Sequence, residues 1–298
     1  MRSRGPHVRR SPRRQPGRIG PVQRGGGRVR AQWHLAGGRG DPLSREEVPA
    51  ITASDKTLAV LDALGTHSRL TDISAATGLP MPTAHRILKT LAEHGFARVD
   101  GKGRYSAGPR VLTLAGRLLA RLDPAEEAGD TLRGLKAETG LTVHLGAYAS
   151  DEVVYIAKLE APVPYQMPSR VGMSVGLHTT AIGKAILAAL GDEEAARVCA
   201  RTGLRPRTPK TLTDQQALIA QLTEIRERGY ALDDEENETD IRCVGAAIYD
   251  HTDRVMGGVS LSWLAFSNPS HPVPELGARV VAAADAISAR LGAPSRAG

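Results

Sequence analysis

Seven side chains in one short stretch have the chemistry to hold a polyanion. From Met81 to Gly108 the chain reads MPTAHRILKTLAEHGFARVDGKGRYSAG. At helical spacing Ala84, Ile87, Leu88 and Leu91 gather on one side, while Thr83, Arg86, Lys89 and Thr90 lie opposite and His85 sits at the flank. A guanidinium, an ammonium and two hydroxyls near a helix N-terminus suit the phosphates and base edges of a DNA major groove. Arg86 has a second use open to it, an ion pair with Asp62 or Glu93, and His85 has a packing role open to it. Asp100-Gly101-Lys102-Gly103 then forms a Gly-rich turn between alternating residues, which predicts a hairpin with Lys102 and Arg104 at its tip. Behind a groove-reading helix such a hairpin clamps the adjoining phosphates.

Other reactive residues are scattered. Gly183-Lys184 lacks a phosphate loop's first glycine, since residue 178 is His178, and Ala185 stands where a metal-binding hydroxyl belongs. A helix beginning near Thr179 nonetheless aims free N–H groups at whatever precedes it, a cradle for a small carboxylate; Thr179 or Thr180 serving only as its cap is the simpler use. Cys243 with His144 or His178, oriented by Asp233, would make a thiol enzyme, and His178, Asp233 and Cys243 would make a metal site. No spacing favours either, so no catalytic residue, metal or cofactor is expected. Ser260 and Ser262, two apart in a strand-like run, share a face.

These residues sit in an uneven chain. Of 298 residues and a net charge of +7, residues 1–50 carry +9, residues 51–116 carry +3 and residues 117–298 carry −5. The first fifty are crowded with Arg, Gly and Pro and cannot bury enough apolar surface to offset ordering entropy. They read as a disordered, dispensable extension rather than an added basic arm. Twin arginines there are followed by no apolar run, nothing approaches a membrane span, and Cys199 and Cys243 are too few for a disulfide framework; a cytoplasmic protein is expected. Ser54 is a candidate cap for a first helix ending at Gly65, and Thr71 for a second closed by Gly78; Pro80 and Pro82 open the third. These are the parts of a winged helix-turn-helix. A helical stretch broken near Pro124 follows. Strands over LTVHLGAYA and EVVYIAKLE, helices at 181–190, 193–200 and 214–228, strands at 244–249 and 255–264, and a last helix at 275–291 then predict an α+β domain with an antiparallel sheet.

The stretch LTDISAATGLPMPTAHRILKTLAEHGFARVDGKGRYSAGPRVLTLAG resembles the DNA-binding domain of the IclR family of bacterial transcriptional regulators. VGLHTTAIGKAILAAL, GYALDDEENETDIRCVGAAIYD and VMGGVSLSWL continue the resemblance in the family's order. It implies a winged helix-turn-helix at 51–116, a linker helix at 117–128 that contributes to dimerisation, and a GAF-like effector domain at 129–298. It also carries over an effector pocket formed by Ala181, Ile182, Asp233, Cys243, Ser260 and Ser262. Ile182 departs from the smaller residue usual at its position, which implies a more apolar effector, with Trp263, Met256, Met167 and Tyr165 as candidate apolar walls. The expected protein is a homodimer or dimer of dimers on a near-palindromic double-stranded DNA operator, controlled by a small, carboxylate-like effector and with no membrane partner. The alternatives are a thiol-dependent enzyme and a ligand-sensing scaffold.

Overall fold

The computed structural model describes residues 52–164, 167–267, 269 and 271–295. The Arg-rich stretch 1–50 and Tyr165 lie outside them. The chain divides into two units between Ala115 and Gly116.

The first unit packs α1 (Ala53–Ala63), α2 (Leu70–Thr77) and α3 (Met81–Glu93) around Val60, Leu64, Ile73, Leu88 and Leu91, followed by a hairpin of β1 (Ala97–Val99) and β2 (Tyr105–Ala107). Ser54 does not cap α1. Thr52 does, because it closes a capping box in which the Asp55 amide donates to Thr52 Oγ1 (3.2 Å) and the Thr52 amide donates to Asp55 Oδ2 (2.8 Å); satisfying two orphan donors at once outweighs a lone serine. Thr71 likewise lies inside α2, its hydroxyl turned to the Asp72 carboxylate. Gly78 ends α2 at φ +67°, and α3 starts after Pro80 with Pro82 in its first turn, as the sequence predicts.

The stretch expected to hold the linker helix at 117–128 contains two helices, with the break near Pro124 that the sequence offers. α4 (Pro109–Leu119) ends before that span does, and α5 (Pro124–Thr139) restarts at a proline capped by the Asp123 carboxylate. Proline at the first helical position is preorganised, whereas within a continuous helix it would break a hydrogen bond.

The second unit threads β3 (Thr142–Ala149), β4 (Glu152–Leu159), β5 (Ser174–Val175), α6 (Ala181–Leu190), α7 (Asp192–Thr202), α8 (Gln215–Arg228), β6 (Ala231–Asp234), β7 (Ile241–Tyr249), β8 (Val255–Leu264) and α9 (Val273–Arg290). Its sheet is antiparallel with strand order β5-β4-β3-β8-β7-β6. Side chains alternate along the central strands. Val143, Leu145, Val244, Ile248, Val259, Leu261 and Trp263 pack with α5 and α9 in one core. The other face carries Thr142, His144, Gly146, Cys243, Gly245, Gly258, Ser260 and Ser262 and is covered by α6. β5 and β6 escape sequence reading because one is two residues long and the other, ALDD, reads as an acidic loop.

Glycines let α6 approach that polar face. A Cβ on Gly245 would stand 2.8 Å from the Ala181 carbonyl carbon and the Ile182 nitrogen, and one on Gly258 3.0 Å from Ile182 Cγ2. Ile182 is 1% exposed, lies over these glycines and joins the apolar cluster on that side of the sheet. Trp263 and Met256 belong to the opposite core. Gly183 needs no phosphate to explain it, since a Cβ there would overlap the Leu177 backbone.

One turn further, fully buried Lys184 donates to both oxygens of Glu236 at 2.5 and 2.6 Å. Burial pushes the lysine pKa down, and the Glu236 carboxylate opposes that push. The pair pins the turn between β6 and β7, where Glu235 and Asp240 adopt left-handed backbone. Thr179 Oγ1 to Asn237 Oδ1 (2.9 Å), Arg207 Nε to the Asn237 carbonyl (3.0 Å) and Thr211 Oγ1 to the Glu236 carbonyl (2.6 Å) complete the anchorage.

Two changes test this frame by urea unfolding of the full chain. Gly183→Ala is expected to destabilise the C-terminal unit by about 1–3 kcal/mol through backbone overlap. Lys184→Met is expected to cost about 3–5 kcal/mol because it strands the Glu236 charge, and adding Glu236→Leu should restore most of the loss.

Candidate functional site

On α3, His85, Arg86, Lys89 and Thr90 are exposed and Thr83 is half-buried, while Ala84, Leu88 and Leu91 face the core. The Thr90 hydroxyl bonds back to the Arg86 carbonyl (3.2 Å), and Lys89 lies 3.9 Å from Glu93, an exposed pair of small energetic worth. Among the described residues Arg86 takes no carboxylate partner, neither Asp62 nor Glu93. In the hairpin turn Asp100 Oδ1 accepts the amides of Lys102 and Arg104, both at 2.9 Å. Lys102 is exposed at the tip. Arg104 is exposed in the same turn, just before β2 begins at Tyr105, and its guanidinium reaches Ser68 Oγ at 3.5 Å. A helix face with an unpaired guanidinium beside a basic hairpin presents donors to phosphates and base edges.

The second site is a cavity over the polar face of the six-stranded sheet. All six residues carried over for the pocket, Ala181, Ile182, Asp233, Cys243, Ser260 and Ser262, line it. Strand register explains the convergence: Asp233 pairs with Cys243, Cys243 with Ser262 and Ser262 with Thr142, so four strands put one polar row on one face. Ser260, opposite His144, adds a second row. The cavity volume is about 40 Å³, room for roughly three waters or a molecule of a few heavy atoms.

Sequence reading missed much of the wall. His144, Tyr155, Ser169, Thr180, Asn237, Glu238 and Ile241 also line the cavity. Period-two spacing of Thr142 and His144 offered a signal for the histidine; nothing in sequence placed Ser169 or Asn237 there. His144 is buried, stacks on Tyr155 with ring centroids 4.7 Å apart, and lies between Ser169 Oγ (2.8 Å) and Ser262 Oγ (3.3 Å). Burial, helped by the Lys158 ammonium and opposed by Glu160, pushes its pKa down to about 4. It is therefore neutral at pH 7, with one ring nitrogen to donate and one to accept. Lys158 secures the outer wall by donating to Glu160 (2.6 Å) and to the carbonyls of Met167 (2.9 Å) and Ser169 (2.6 Å).

At the helix end, Thr180 caps α6 by accepting from the Gly183 amide (3.1 Å). The amides of Ala181 and Ile182, at the first two helical positions, have no acceptor within the helix and carry its positive end. Asp233 is 2% exposed, and its Oδ1 accepts the amides of Glu236 (2.8 Å) and Asn237 (3.3 Å). Burial outweighs those amides and the Lys184 charge, raising its carboxyl to about 7.

The thiol-enzyme arrangement does not assemble. Ser262, the cross-strand partner of Cys243, is the group that meets His144 Nδ1 (3.3 Å), and burial with the neighbouring Asp233 carboxylate pushes the Cys243 thiol well up, the reverse of what a nucleophile needs. His178 turns Nε2 to the Arg205 carbonyl (3.1 Å) and does not line the cavity with Asp233 and Cys243; no group of three potential metal ligands converges among the described residues. Nor is any helix among them long and apolar enough to cross a membrane.

Comparison with known proteins matches both units. Residues 53–101 fit the IclR helix-turn-helix domain and residues 116–289 the bacterial transcriptional regulator IclR C-terminal domain. The HTH-type transcriptional regulator XynR of Escherichia coli is 34% identical over 83% of this chain and 100% of its own, and KdgR of the same organism is 31% identical over 80% and 91%. The crystal structure of the Thermotoga maritima IclR superposes with a TM-score of 0.55 at 33% identity, covering 80% of this chain and 98% of that one. With both domain matches in order and full-length relatives above 30% identity, the chain belongs to the IclR family of bacterial transcriptional regulators.

Proposed function

We propose that this family member is a sequence-specific DNA-binding regulator, working in the cytoplasm and without enzymatic activity, whose operator binding is controlled by a small carboxylate in the C-terminal cavity. The observation that carries the reading is the convergence of one small polar cavity on a helix N-terminus. The Ala181 and Ile182 amides take the carboxylate, while Asp233, Ser260, Ser262 and the neutral His144 meet the ligand's remaining polar groups. The α3 face with the wing at Lys102 and Arg104 takes the DNA. Leu112, Leu114, Leu118 and Leu119 on α4 are all more than 40% exposed, an apolar surface that supports a homodimer or dimer of dimers on two half-sites of a near-palindromic operator.

The test is fluorescence anisotropy of the full chain on DNA selected from a random pool, at several salt concentrations, with and without short carboxylates. Specific binding should weaken steeply with salt. Arg86→Ala should lose about 1–3 kcal/mol on the selected site, roughly 5- to 150-fold in affinity, while thermal stability holds. Lys102→Ala should weaken all sequences alike and lower the salt slope by about 1. Undiminished affinity in Arg86→Ala would remove α3 from the groove. Selected-site binding that no carboxylate alters would count against the effector.

A further inference from the structure

The cavity's charge balance has a consequence for any anion that enters it. Its lining holds two carboxylates, Asp233 and Glu238, and no lysine or arginine. Lys184, the ammonium near Asp233 on α6, is already held through two bonds by Glu236. On β4 the Lys158 ammonium is taken by Glu160 and two carbonyls. The Glu236 carboxylate adds its negative charge to the upward push on Asp233, and the Cys243 thiol and Tyr155 phenol, which the Asp233 charge itself pushes up, supply no positive charge. His144 is neutral. A carboxylate ligand on the α6 amides would thus add negative charge beside Asp233 in a water-poor site, where like charges disfavour joint ionisation.

Resting on the effector reading above, we infer that the cavity binds a carboxylate together with one proton from solvent, which resides on Asp233 and lets that residue donate to the ligand. The geometry allows this. Asp233 Oδ1 is committed as acceptor to the Glu236 and Asn237 amides, so the proton belongs on Oδ2. The unliganded protein is already poised for it, because the buried carboxyl titrates near pH 7 and not in the usual acid range. No bond to carbon forms or breaks; well above pH 7 one proton leaves solvent for each ligand bound, and below pH 7 the proton is already on Asp233. The site then selects carboxylates most strongly below neutral pH and distinguishes them from neutral isosteres by their pH response.

The test is calorimetric titration of the full chain with glycolate and with its neutral isostere glycolamide, from pH 6 to 9, in buffers of different ionisation enthalpy. Glycolate affinity should fall about tenfold per pH unit above 7, with close to one proton taken up at pH 8.5. Glycolamide should show no slope. Asp233→Asn, whose amide donates without titrating, should bind glycolate equally at pH 6 and 9, and Glu238→Gln should keep the wild-type slope. A second readout needs no ligand. The folded carboxyl holds a proton that the unfolded chain has released above about pH 4, so the difference in stability between wild type and Asp233→Asn should fall as pH rises toward 7 and level off above it. His144 and His178, both pushed down by burial, act in the opposite sense as pH passes through the ordinary histidine range, but they do so in both proteins and cancel in that difference. Glycolate binding that is flat from pH 6 to 9, or a slope that survives in Asp233→Asn or vanishes in Glu238→Gln, would overturn the inference and leave a carboxylate effector standing. Absence of millimolar glycolate binding at pH 6 would overturn both.

Discussion

A lysine with no solvent exposure survives only if its charge is met in place, and the bond from Lys184 to both oxygens of Glu236 meets it. The cavity depends on that bond. Glu236 lies in the turn that follows Asp233 at the end of β6 and carries Asn237 and Glu238, and this turn includes left-handed residues that gain nothing from regular structure. Fixed to α6 through Lys184, the turn keeps the Asp233 carboxylate over the helix N-terminus. Anchoring by an ion pair has a second effect. It occupies the ammonium closest to the site and leaves Asp233 without a cation of its own. The same interaction thus sets the shape of the cavity and its unusual charge balance.

The two faces of the C-terminal sheet divide stability from recognition. One is packed by valine, leucine, isoleucine and tryptophan under α5 and α9 and supplies apolar burial. The other gives up large side chains for Gly146, Gly245 and Gly258, which admit α6, and for the serines, His144 and Cys243, which leave a void lined by hydrogen-bonding groups. A strand face without large apolar residues forgoes packing energy, which fits the proposed ligand site, since a site filled in advance admits no ligand. The second apolar cluster, around Ile186, Leu187, Val198, Leu218 and Leu222, recovers burial on the far side of α6.

Much of this was legible because it follows local rules. Helical spacing from Ala84 to Leu91, the glycine after α2, the proline entry of α3 and the turn at Asp100–Gly103 are each written within a few residues, and all appear where expected. Ser260 and Ser262 share a face because strand periodicity is two. The pocket's membership was a different matter. Asp233, Cys243 and Ser262 meet through cross-strand register, which no single segment encodes; the family resemblance supplied them. Local signals also failed where two candidates competed, as Ser54 did against the Thr52–Asp55 box. Ile182 is a third case: it borders the cavity from α6 over glycines on three strands, and where its bulk falls depends on strands that no single segment encodes.

On the proposed reading, control of DNA binding requires more than a tight ligand. A ligand that binds two arrangements of a protein equally shifts neither, however great its affinity. The cavity has parts whose positions a ligand can favour or disfavour: the α6 N-terminus, the turn held by Lys184, and the Met167–Ser169 wall held by Lys158. The Lys158 bonds end on backbone carbonyls and so hold the wall's main chain, whereas Ser169 meets His144 through its side chain. A ligand competing for the Ser169 hydroxyl therefore loosens or replaces a bond between wall and sheet without unmaking the lysine anchor. Coupling arises only if that exchange differs in free energy between arrangements that hold the operator and those that release it. The chain passes from one unit to the other inside α4, and α5 restarts after Leu122 with its buried Leu132 and Leu135 packed in the sheet's apolar core. On the proposed reading, strain at the sheet has only this broken pair of helices along the chain by which to act on the operator. Its effect on the operator depends on how far the break between Leu119 and Pro124 transmits rotation.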